Sequence, residues 1–206
     1  MIFFRGVSLN FKTIEEVKKF LKEEYGVLVQ NFPNIEAANE FAGAVVDLSC
    51  ALKSKDDFGN LKIYYSNIFC ADEIMSYMFQ KSNDGNVRDL IELNSSKDWN
   101  EMGKFYKKAY SQSFNASPLY KGGFIHELAH VLHYRSDKEK FCNLEKVILN
   151  DKEVKCALEV SKYATLDAIE FCAEYIRGKM AGITYSDAVD EMFEKYWFAS
   201  KLQFPN

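Results

Sequence analysis

The sequence predicts an α+β fold, with a small mixed sheet drawn from the first half of the chain and a helical second half. Three observations lead there. Short runs rich in β-branched and aromatic residues (GVLVQNF, LKIYYSNIF and VRDLIELN) occur only in the first half. Beyond Pro118 the apolar residues recur at helical spacing instead. At 206 residues, 48% hydrophobic and 27% charged, the chain suits one ordinary folded domain. We expect helices and substrate-side strands over 1–117 and a helical, metal-binding half over 118–206.

In chain order, Thr13 to Glu24 carries an apolar stripe at Ile14, Val17, Phe20 and Leu21 and predicts a helix. Gly26 to Phe32 follows as a strand. Asn34 caps a second helix to Leu52, with Ala37, Phe41, Val45 and Leu48 along one face. Leu61 to Phe69 predicts a strand, Asp72 to Gln80 a helix, Asn83 to Gly85 a turn, and Val87 to Asn94 a third strand. The stretch SKDWNEMGKFYKKAYSQSF is amphipathic and predicts a helix. Pro118 opens the next helix, which runs to about Tyr134. A polar segment, Arg135 to Lys140, is followed by one or two short elements before Lys162. LDAIEFCAEYIRGKMAG predicts a helix ending near Gly178 or Gly182, and Ser186 caps the last one, to about Leu202.

Composition excludes several classes of function. A net charge of -4 offers no general attraction to nucleic acid or to an anionic membrane. The lysines and aromatics between Lys104 and Tyr110 fit a solvated helix face better than a nucleic-acid surface. No window approaches the ~20 apolar residues of a membrane span. Five cysteines, without a CxxC pair, suit free thiols in a reducing compartment. The N-terminus has neither the basic region nor the apolar run of a signal peptide. The expected location is cytosolic, unless another route exports the protein.

The chemistry centres on HELAH, His126 to His130. Residues four apart lie on one helix face, so His126 and His130 can offer two imidazole nitrogens to one zinc ion at ~2.0 to 2.1 Å. Glu127, one residue round, is placed to take a proton from zinc-activated water, as in the HExxH motif. His133 is excluded as a third ligand, because ~10.5 Å of helical rise separates it from His126. It is expected to be a packing or hydrogen-bonding residue. With no other histidine in the chain, the third ligand must be a carboxylate.

Glu170 and Glu174, in EFCAE, stand out among the acidic residues. They too are four apart, on a helix whose other positions are largely apolar. Two carboxylates there are costly unless a cation or metal answers them. One would bind zinc and the other would accept the N–H of a ligating imidazole, fixing its tautomer. The bland alternative is a wet helix flank with Asp167 or Thr165 as its cap, Asp167 and Glu170 matching a capping box.

HELAH followed by YATLDAIEFCAE, Tyr163 to Glu174, resembles the catalytic domain of anthrax lethal factor and the small bacterial Pro-Pro endopeptidases that share it. The resemblance spans about Lys121 to Ile176. It implies a zincin-like fold and a gluzincin-type zinc endopeptidase acting on protein or peptide. It implies one zinc ion on His126, His130 and Glu170, with Glu127 as general base. Tyr163 would donate its hydroxyl to the oxyanion of the tetrahedral intermediate, and Glu174 would be the outer-shell partner. The ImmA/IrrE regulatory peptidases are a second resemblance, but in them the glutamate comes sooner and the tyrosine spacing is absent. The rival from another class is a non-catalytic zincin-fold module that binds or scaffolds. Within the enzyme reading, VRDLIELN is the candidate edge strand along which an extended substrate would lie, with a plain interior strand as the equal alternative.

Overall fold

A computed structural model of the chain describes residues 9–67, 73–81, 87–199 and 202–204. They form a mixed α+β structure with eight α-helices and a four-stranded sheet. The chain divides into two compact units, with the boundary along the sequence between Met102 and Gly103.

The first unit holds the sheet. Helix α1 (Ile14–Tyr25) starts on a capping box in which Thr13 accepts from the Glu16 N–H and the Glu16 carboxylate returns to the Thr13 backbone. It stops at Gly26, which takes the left-handed conformation (φ 66°) that a side chain would resist. Strand β1 (Leu28–Val29) is shorter than the sequence suggests. Helix α2 (Ile35–Leu52) is capped by the Asn34 side chain, as its sequence predicts, and buries Ala37, Phe41, Val45 and Leu48. Strands β2 (Lys62–Ser66), β3 (Met75–Lys81) and β4 (Val87–Asn94) complete the sheet.

The strand order is β1-β2-β4-β3, with β1, β2 and β4 parallel and β3 antiparallel to β4. Two expectations are corrected here. The segment expected to be a helix over Asp72 to Gln80 is strand β3, with seven residues in register against β4 from Met75↔Leu93 to Lys81↔Val87. Its run of Tyr77, Met78 and Phe79 fits a pleated surface, and the neighbouring strand supplies the backbone partners that decide the matter. VRDLIELN is not an edge strand: as β4 it lies between β2 and β3, so both its edges are already hydrogen-bonded. The turn expected at Asn83 to Gly85 lies outside the described residues.

The second unit is helical. Helix α3 (Met102–Ser111) turns Lys104, Lys107 and Lys108 outward and buries Tyr106 and Ala109. Helix α4 (Tyr120–Ser136) carries HELAH and is buried from Phe124 to Tyr134, so a polar side chain on it must find a partner inside the protein. The segments left unassigned by sequence are α5 (Lys138–Leu144) and α6 (Asp151–Val160), the latter capped by Asn150 in a second capping box. A 3-10 turn (Tyr163–Thr165) leads into α7 (Ala168–Met180), and α8 (Asp187–Tyr196) follows. Helix α7 packs along α4 and also contacts the 3-10 turn, α5, α6 and α8. Ser186 stands at the cap position of α8, but its side chain makes no cap bond; its hydroxyl and backbone N–H both donate to Glu159.

Among the described residues no helix is long and apolar enough to cross a membrane. Cys50, Cys142, Cys156 and Cys172 are free thiols.

Candidate metal centre

Helix α4 brings His126 and His130 to one face, as their spacing requires. Their Nε2 atoms face each other at 3.1 Å. From α7, Glu170 closes the group: its Oε2 is 2.9 Å from His126 Nε2 and its Oε1 is 3.5 Å from His130 Nε2. Each of the three residues offers a ligand atom within 4.8 Å of the others, and both histidines are buried.

The group fits a metal ion on two counts. A tetrahedral ion with ligands at ~2.0 to 2.1 Å holds them ~3.3 Å apart, and the separations here bracket that figure. In addition, Glu170 Oε2 is a buried oxygen whose close neighbour is His126 Nε2, at 2.9 Å, with no other hydrogen-bond partner among the described residues. Such an atom carries a desolvation cost that a cation would offset. His126, His130 and Glu170 can therefore hold a metal ion.

The titration behaviour has the same origin. Burial opposes a proton on His126, but the negative charges of Glu170, Glu174 and Glu127 outweigh it and push its pKa up to about 10. Burial likewise opposes ionisation of Glu170, and the adjacent His130 and His126 outweigh it, holding the carboxyl below its ordinary range. The constellation demands positive charge.

Glu174, fully buried on α7, is the second carboxylate of EFCAE. Its Oε1 lies 2.9 Å from His126 Nδ1. An ionised carboxylate can only accept, so Nδ1 carries the hydrogen and Nε2 is directed toward the metal group. Arg177 Nη1 donates to the same oxygen at 2.9 Å. The other oxygen accepts from the Ala116 N–H at 2.6 Å and the Ser161 hydroxyl at 3.0 Å. Burial opposes its charge, but Arg177 and His126 outweigh that and hold its pKa down to about 2.

Glu127 is buried on α4 directly after the first ligand. Tyr163, half-buried in the 3-10 turn, has its ring 5.6 Å from the His126 ring and 5.6 Å from the Phe114 ring. Two backbone bonds, Lys162 N–H to Ser113 O and Tyr163 N–H to Phe114 O, tie that turn to the loop before α4. Asp167 caps α7 through the Ile169 and Glu170 N–H groups, but Glu170 does not complete the capping box; its carboxylate faces the histidines instead.

His133 stands outside the group. Its Nε2 donates to the Tyr196 carbonyl at 3.1 Å, and its ring is flanked by Phe198 at 4.2 Å, Trp197 at 4.7 Å and Phe141 at 5.5 Å. Burial pushes its pKa down to about 3, so it is a neutral packing histidine, as expected.

Sequence reasoning missed the support behind Glu174. Arg177 is buried, and its guanidinium lies 4.9 Å from the centre of the Tyr106 ring. The legible signal was the adjacent pair Gly122-Gly123, an uneconomical choice inside a buried helix. A Cβ on Gly122 would stand 3.0 Å from Arg177 Nε, and one on Gly123 would meet the Tyr106 hydroxyl at 2.2 Å. The two glycines make room for the two side chains.

No protein-family model, no curated protein and no solved structure matches the chain.

Proposed function

We propose that this protein is a zinc-dependent endopeptidase with a zincin-like fold, of the gluzincin type that its HELAH and EFCAE stretches resemble. The observation that carries the reading is the convergence of His126, His130 and Glu170 at the ligand separations of a tetrahedral ion, with Glu127 buried one residue beyond the first ligand. Two imidazoles and a carboxylate suit zinc, and three protein ligands leave the open position that a catalytic site needs.

Zinc, when bound, would supply Lewis acidity that polarises a peptide carbonyl and lowers the pKa of water toward ~7. The chain's own residues do the rest. Glu127 accepts the proton of the attacking water and returns it to the leaving amine. Tyr163, beside His126, donates its hydroxyl to the carbonyl oxygen as negative charge develops there. Glu174 fixes the tautomer and orientation of His126.

The test is to incubate wild-type protein and Glu127→Ala with a diverse peptide library and identify new termini by mass spectrometry. Cuts are expected with wild type only, while Glu127→Ala keeps its fold and its zinc. Cleavage retained by Glu127→Ala overturns the mechanism. A folded, zinc-loaded wild type that cuts nothing supports the non-catalytic module instead.

A further inference from the structure

We infer that Arg177 is a positioning residue for metal binding: through Glu174 it sets how tightly His126 holds the ion, and the Gly122-Gly123 pair exists to seat it. The inference rests on the metal-binding reading of His126, His130 and Glu170, and it is independent of peptidase activity.

Glu174 is the link between His126 and Arg177. Its Oε1 is shared between His126 Nδ1 and Arg177 Nη1, both at 2.9 Å. The Ala116 N–H and the Ser161 hydroxyl hold Oε2, so the freedom left to the carboxylate is a turn about that end, which would move Oε1 and the imidazole bound to it. Arg177 removes that freedom, because its planar guanidinium fixes the oxygen from a second direction.

Arg177 is itself held from two sides. Nη2 donates to the Ser117 carbonyl at 3.3 Å, in the loop that leads into α4, and the Tyr106 ring covers the guanidinium at 4.9 Å. A buried guanidinium needs such contacts, and here each depends on bare backbone at the start of α4. A Cβ at Gly122 would press on Arg177 Nε at 3.0 Å, and a Cβ at Gly123 would displace the Tyr106 hydroxyl. The line of support therefore runs from Tyr106 to Arg177 to Glu174 to His126, and every member belongs to the same compact unit. A residue wanted only for the stability of α7 would not need to meet the ligand's own hydrogen-bond acceptor.

The experiment measures zinc affinity of the full chain by chelator competition, and the absorption of the cobalt-substituted protein, for wild type, Arg177→Met and Arg177→Lys. Folding is followed in parallel by circular dichroism. Arg177→Met is expected to bind zinc about 10- to 100-fold more weakly, the size of an outer-shell effect, with altered cobalt bands. Arg177→Lys, which keeps a cation near Glu174, should recover part of that loss. In a Glu174→Gln background Arg177→Met should add little, because the two act through one link.

Wild-type affinity and wild-type cobalt bands in folded Arg177→Met overturn the inference. So does full additivity with Glu174→Gln, which would make Arg177 a residue of general stability. If Arg177→Met does not fold, Tyr106→Leu carries the test, with an expected loss of about two- to tenfold from the missing cation–π contact; unchanged affinity there is equally decisive against it. A wild type that takes up no zinc or cobalt overturns the metal reading itself, and this inference with it.

Discussion

His126 and His133 lie on the same helix, seven residues apart, and both are almost wholly buried. Burial acts on them in the same direction, yet one has its pKa pushed up to about 10 and the other down to about 3. The difference lies in what each ring meets. Around His126 stand Glu170 at one nitrogen and Glu174 at the other. Around His133 stand Phe141, Trp197 and Phe198, with one backbone carbonyl for its Nε2 and no partner for its Nδ1 among the described residues. Burial alone does not decide how a buried histidine titrates; the charges around it do.

The comparison breaks most completely at Glu170. Glu170→Ala should lose most of its bound zinc, a larger loss than the ~10- to 100-fold of an outer-shell change, as read by metal content after dialysis. Unchanged metal content would mean that another carboxylate completes the site. At the other end of α4, His133→Gln should keep zinc, because His133 lies outside the candidate group and packs on Phe141, Trp197 and Phe198.

The pH dependence of stability sharpens the contrast. With its folded pKa near 3 and an unfolded value of ~6.5, His133 binds fewer protons when folded than when unfolded between those limits. Stability therefore rises with pH across that window and is lost as pH falls from ~6.5 toward 3, by at most ~1.4 kcal/mol per pH unit from this one group. His133→Gln keeps a donor for the Tyr196 carbonyl but cannot take up the proton. Denaturant unfolding of chelator-treated wild type and variant should give curves that diverge in slope by that amount between pH 6 and about 4. Parallel curves would show that His133 is not held neutral.

The smallest effect is expected at the cap. Asp167→Ala removes the side chain that satisfies the first N–H groups of α7 and should cost ~1 kcal/mol of stability with zinc affinity changed little, since the cap holds the Glu170 backbone N–H and not its carboxylate. A loss of zinc as large as that of Glu170→Ala would show that the cap, and not the helix packing, aims the carboxylate.

Helix-level features were legible because they are local. The stripe from Ile14 to Leu21, the Asn34 cap, HELAH and EFCAE each repeat at the helical period or carry a cap that acts within a turn. Strand β3 was misread because Met75 to Phe79 is short and apolar, and only its partner strand distinguishes a pleat from a turn of helix. The interior position of β4 was unreadable for the same reason: strand order is a property of four segments together. In the metal group, spacing gave the two histidines and the glutamate pair. It could not give Arg177, because a basic residue near a helix C-terminus ordinarily answers the helix dipole and faces water. Ser161 and the Ala116 N–H were equally hidden, since they reach Glu174 from 13 and 58 residues away.

Glu174 has a consequence for which substitutions the chain can accept. Its two oxygens take four donors from α4, α7, the loop before α4 and the segment before the 3-10 turn. Aspartate, one methylene shorter, must let at least one of those segments go. Glutamine turns one acceptor into a donor and sets it against a donor already there. Neither neighbour in the genetic alphabet is therefore a small step, and the chain is pinned at this position.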